Sequence, residues 1–146
     1  MSAYSDVYLS SISDTQGNVF FDVRDVFPEM DEKWFITAYM KGNIRRLLDH
    51  ANPKYASAPS VELIKRFIED ECGGEYKRGE SWGGFMPKWA GIIYALYQWQ
   101  YSVPSTELID HLTLDDIERI YPALHQMGWK AAVDKIHTVV LGNGDE

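Results

Sequence analysis

A chain of 146 residues, 45% hydrophobic and 25% charged, has the size and make-up of one folded domain that needs no disulfide or metal staple. Cys72 is the only cysteine, which excludes an internal disulfide or a cysteine-rich metal centre and suits a reducing, cytoplasmic setting. The formal charge of −8 disfavours a nucleic-acid partner, because binding to phosphate backbones needs clustered Lys and Arg.

The acidity is spread: there are 10 basic and 14 acidic residues up to residue 80, and 4 and 8 beyond it. Such a surface suits a basic protein partner, or simply solubility. The first residues lack the basic and apolar runs of a signal peptide, and no apolar stretch reaches the roughly 18 residues of a membrane span.

Residues 1–29 are the least legible. Gln16-Gly17-Asn18 reads as a turn. Val19 to Phe27 fits either a short helix (Phe20, Val23, Phe27) or an edge strand (Val19, Phe21, Val23). Helix is preferred, because no other segment offers a sheet partner. Asp31 is an N-cap for a helix carrying Ile36, Met40, Ile44, Leu47 and Leu48 on one stripe to about Asp49. Gly42 inside it suggests a close backbone approach, and Arg45 and Asp49 are spaced for a surface i,i+4 pair. His50 to Ala58 reads as a loop around Pro53.

After Pro59, the residues Val61, Ile64, Phe67, Ile68 and Cys72 mark another stripe. Glu69 to Glu71 form its solvated end, and Gly73-Gly74 stop it. The loop Glu75–Phe85 carries Tyr76 and Trp82. Next comes the most aromatic stretch: Trp82 to Tyr101 holds seven of the twenty aromatic residues. Within it, 87–101 reads as a helix with no polar face, to be enclosed by others. Short helices are expected from Ser105, from a Thr113 cap with Asp115 and Asp116 in the first turn, and over Trp129–Leu141. Pro122 predicts a break at Ile120–Tyr121. Residues 142–146 read as a frayed tail. The pattern defines an all-α fold: a single domain over 1–146, with five to seven helices round the central one.

No strong catalytic motif is present, and three constellations can be considered. Tyr121 and His125 stand at i,i+4 with Glu118 on the same side, a set able to move protons, although packing is the commoner role for such pairs. Ser105 with Asp110 and His111 has the residue types of a nucleophile and base. On a short helix, however, Ser105 and His111 point apart, and a capping serine fits better. Lys41, Arg45 and Arg46 form the basic cluster, suited to a phosphate or, more plainly, to a solvated face. Tyr76, Trp82 and Phe85 are candidate interface anchors, with core capping as the alternative. The scattered histidines make no metal site, and no cofactor is expected.

Trp34 to Asp49, Trp89 to Trp99, Ser105-Thr-Glu-Leu-Ile109 and Tyr121-Pro-Ala-Leu-His125 together resemble a group of small all-helical bacterial proteins over residues 34–136. Members of the group are encoded in operons of toxin–antitoxin type, beside small proteins resembling ADP-ribosyltransferases. Here Met40-Lys41-Gly42 stands where a serine usually follows in the group. The resemblance brings no catalytic residues with it. It implies a protein-binding, antitoxin-like or accessory role. The other expectation is an enzyme or ligand-binding protein for a nucleotide-like or phosphorylated compound, with Arg45, Arg46, Tyr121 and His125 converging on one pocket. A helix-turn-helix reading of Ser105–Ile120 meets too many carboxylates to face phosphate (Asp110, Asp115, Asp116).

Overall fold

The computed structural model describes residues 2–142. Among these residues the fold is all-α, with nine α-helices and no named strand. A 3₁₀ turn at Asp6–Tyr8 leads into α1 (Leu9–Val26). Then follow α2 (Glu32–Met40), α3 (Asn43–Leu48), α4 (Pro53–Ala56) and α5 (Ser60–Glu71). The central α6 (Met86–Tyr101) is followed by α7 (Ser105–His111), α8 (Leu114–Leu124) and α9 (Trp129–Lys135), which continues as a π-turn over Ile136–Val140. The expected tail lies outside the described residues except for Gly142. No helix among the described residues is long and apolar enough to cross a membrane.

The central helix is enclosed as its composition demands. Trp89, Ala90, Ile93, Tyr94 and Tyr97 are buried, and Tyr94 donates its hydroxyl to the Leu112 carbonyl at 2.6 Å. The main corrections fall on α1. The whole segment 9–26 is one helix, and Gln16-Gly17-Asn18 is no turn but the place where α1 crosses α6. A Cβ on Gly91 would stand 2.6 Å from the Gln16 carbonyl oxygen, and one on Gly17 would stand 2.9 Å from Ile92 Cγ1. The two glycines remove side-chain bulk and let the backbones approach. Gln16 Nε2 then reaches the Gly91 carbonyl at 2.8 Å. A glycine between two polar residues signals a turn only when nothing packs on it.

The helix expected from Asp31 to Asp49 is broken. Asp31 caps α2 through its carboxylate and the Trp34 amide, but Gly42 adopts an extended ψ of 171° and α3 begins afresh. The orphan amides of Asn43 and Ile44 donate to the Glu71 carboxylate at 2.5 and 2.9 Å. Glu71 is therefore not merely a solvated helix end: it caps α3 from α5. Its Oε1 lies where a Gly42 Cβ would intrude, at 2.6 Å. The loop expected at Pro53 contains one helical turn, capped by Asn52. The break expected at Pro122 does not occur. Pro122 is exposed in the last turn of α8, where helix continues to Leu124. Thr113 and Asp116 make the capping box that starts this helix.

Candidate functional site

Three helices meet at the C-terminal end of α6. Arg45, expected on the surface, is fully buried, and Asp49 is 3% exposed. Arg45 Nη1 lies 3.7 Å from Asp49 Oδ1, and Arg45 Nη2 donates to Gln98 Oε1 at 3.3 Å. Gln98 Nε2 donates to the Asp49 carbonyl at 3.1 Å. Asp49 also receives both donors of Ser105, the amide at 3.0 Å and the hydroxyl at 2.5 Å. One carboxylate thus fixes the start of α7 and balances a buried guanidinium. Two buried polar residues at i,i+4 look the same in sequence as a solvated pair. Gln98, an apparent interruption of the apolar helix, was the available hint that a polar group faces inward there.

The network is not closed. Among the described residues Arg45 Nε has no hydrogen-bond partner, Nη1 has only the ion pair, and the buried hydroxyls of Tyr4 and Tyr39 also lack partners. Burial pushes the Tyr4 phenol up to about 12, with the Arg45 cation pulling it down and Asp49 adding to the rise. Burial likewise raises Tyr39, opposed by Arg45. The N-terminal segment is tied across the end of α6 by Ala3 N to the Trp99 carbonyl (2.9 Å) and Trp99 Nε1 to the Tyr4 carbonyl (2.8 Å).

Above this network opens a cleft of about 750 Å³. Its walls include Ala3, Arg46, Asp49, His50, Gln98, Tyr101 and Thr106. Arg46 is exposed and hydrogen-bonds to the Asn43 side-chain oxygen, while Lys41 pairs with Asp110 at 2.8 Å. Arg45, Arg46 and Ser105 therefore come together, with Arg45 and Ser105 below the cleft and Arg46 in its wall.

Tyr121 and His125 do not join them. Tyr121 meets Trp89 edge-on at 5.4 Å, whereas Arg45 bonds Gln98 nine residues further along α6, a rise of about 13 Å. The pocket expected from Arg45, Arg46, Tyr121 and His125 does not form. His125 stacks on Tyr121 at 4.3 Å and donates Nδ1–H to the Tyr121 carbonyl at 2.6 Å. Nor does Ser105 face a histidine. His111 lies in a separate hollow with Tyr97, Val103 and Val140.

The aromatic loop divides. Trp82 is buried, donating Nε1–H to Glu118 at 2.7 Å and its amide to the buried Glu32 at 3.1 Å. Tyr76 packs on Phe27 at 5.1 Å. Phe85 remains 55% exposed beside Phe21 and Lys88.

A second concavity, missed in sequence, is apolar. A groove of about 520 Å³ runs between α1, α6 and α9, lined by Leu9, Leu96, Trp99, Trp129 and Val133. Trp129 stands 42% exposed at its edge, and Val7 and Tyr8 are exposed just before Leu9. The unusual content of α6 hinted at this groove: Leu96 and Trp99 are apolar yet only half-buried.

Among the described residues no group of three or more His, Cys, Asp or Glu side chains is placed to hold a metal ion. No family model, curated protein or solved structure matches this chain.

Proposed function

We propose that this chain is a small acidic protein-binding module, antitoxin-like or accessory, whose partner is a basic protein encoded beside it. The observation that carries the reading is the apolar groove rimmed by Trp129 on a molecule with excess negative charge. Most cations are engaged internally: Arg24 with Glu32, Lys33 with Glu118, Lys41 with Asp110, Arg78 with Glu29 and Lys130 with Asp134. Exposed carboxylates such as Asp6, Asp14, Asp25, Glu69 and Asp70 have no ion-pair partner among the described residues, and Asp6 sits in the turn directly before the groove. An apolar patch supplies affinity and the net negative charge of the molecule steers a basic partner in, while Lys130 in the groove lining is paired with Asp134. The resemblance over residues 34–136 points the same way.

Co-expression with the product of the adjoining gene, followed by calorimetric titration, tests the reading. A stable complex is expected. Trp129→Ala should weaken it about 30-fold, the loss of a tryptophan anchor worth roughly 2 kcal/mol. Unchanged affinity in Trp129→Ala, or no complex at all, contradicts it.

A further inference from the structure

We infer that the cleft over the Arg45–Asp49 network binds a small organic phosphate. The site is distinct from the apolar groove and does not depend on the protein-binding reading. Asp49 is the carboxylate in the cleft wall, and it is already neutralised from beneath by Arg45 and by the two donors of Ser105. What the wall still offers is donors. Among the described residues Arg46 has no carboxylate partner and only Asn43 as an acceptor, and the side chains of His50 and Thr106 make no hydrogen bond. Arg46 thus stands apart from cations such as Lys33, Lys41 and Arg78, which are ion-paired.

The second observation is Arg45 itself. It is fully buried directly behind Asp49 and Gln98, with Nε unpartnered and Nη1 held only at 3.7 Å. Arg45 and Asp49 cancel each other beneath the cleft, so the exposed Arg46 guanidinium sets the charge of its wall. The overall charge of −8 does not decide the matter, because in physiological salt charges beyond about 8 Å are largely screened, and the local lining dominates. A planar guanidinium with adjacent imidazole and hydroxyl groups matches a phosphate group, which accepts several hydrogen bonds at once. The volume of about 750 Å³ is far more than a bare phosphate fills, so room remains for an organic part against Tyr101 and Gln98.

Amide chemical-shift titration of the full chain at constant ionic strength tests this, with inorganic phosphate and ribose 5-phosphate as probes. Saturable shifts confined to residues 46–50 and 101–106 are expected, with ribose 5-phosphate the tighter probe. Arg46→Ala should weaken binding about tenfold, the loss of a charge-assisted hydrogen bond. Arg46→Lys should weaken it less, and Thr106→Val by a smaller factor. Lys65→Ala, an exposed cation elsewhere, should change nothing. Arg46 is exposed, so an unchanged thermal melt is expected for its variants. Shifts that never saturate, shifts dispersed over Lys54, Lys65 and Lys135, equal affinity for the two probes, or an Arg46→Ala chain that binds like the parent would each overturn the inference.

Discussion

Gly91 on α6 lies against the backbone of α1 at Gly17, so closely that a Cβ on Gly91 would come within 2.8 Å of the Gly17 Cα. This crossing sets the position of the longest helix against the central one, and with it the apolar groove beside Leu9 and Leu96. Gly91→Ala should destabilise the fold by about 1–3 kcal/mol, the usual result of overpacking, read from urea denaturation. Gly17→Ala should lose less, because its nearest clash is with the Ile92 side chain, which can shift, whereas Gly91 faces backbone.

Trp89 is 2% exposed within α6 and touches Tyr121 edge-on. Trp89→Ala should lower stability by about 3–5 kcal/mol, measured by thermal or denaturant melting. A variant that melts with the parent would show that α6 is not the centre of the core.

Asp49 faces a buried cation and the first amide of α7. Asp49→Ala should cost about 3–5 kcal/mol, because Arg45 is left buried and uncompensated. Adding Arg45→Met to that variant should recover part of the loss. Denaturant melts of the two single variants and the double variant measure the coupling.

Glu71 caps α3 across Gly42. Glu71→Ala should remove about 1 kcal/mol and expose the amides of Asn43 and Ile44 to faster hydrogen exchange. The same amides should stay protected in Glu69→Ala, an exposed neighbour without that role.

The Lys33 ammonium, hydrogen-bonded to Glu118, and then the Trp82 indole hold the Glu118 carboxyl below the ordinary glutamate range. A lowered folded value means that this contribution is full above the ordinary range and disappears as pH falls through the folded value. Lys33, raised by the same bond, has the opposite sign: its contribution is full below the ordinary lysine range and is lost as pH rises through its folded value. Both groups are more than a third solvent-exposed, so screening keeps the contribution small. Tryptophan fluorescence at acid pH should report the loss at Trp82, and Glu118→Gln should flatten that transition.

The sequence made some elements readable because their signals are local. Asp31 and Thr113 announce helix starts, and the unbroken apolar character of 87–101 announces an enclosed helix. What escaped depends on partners far along the chain. Gly17 looks like a turn until α6 is laid across it. Gly42 looks like an interior glycine until Glu71 arrives from α5 to cap the next helix. The Arg45–Asp49 spacing is the same whether water or Gln98 and Ser105 surround it. Of the candidate site residues, Arg45, Arg46 and Ser105 do assemble, while Tyr121 and His125 lie about 13 Å along α6 from them. The apolar groove had no motif at all, only two large residues on α6 that its neighbours leave half-covered.

Hydrogen–deuterium exchange of the chain alone and with the proposed basic partner tests the proposed docking surface most directly. The account predicts that protection gained on binding falls on the start of α1, the C-terminal half of α6 and α9, around Leu9, Trp99 and Trp129. Protection confined to other surfaces, such as the exposed face of α5, would contradict it.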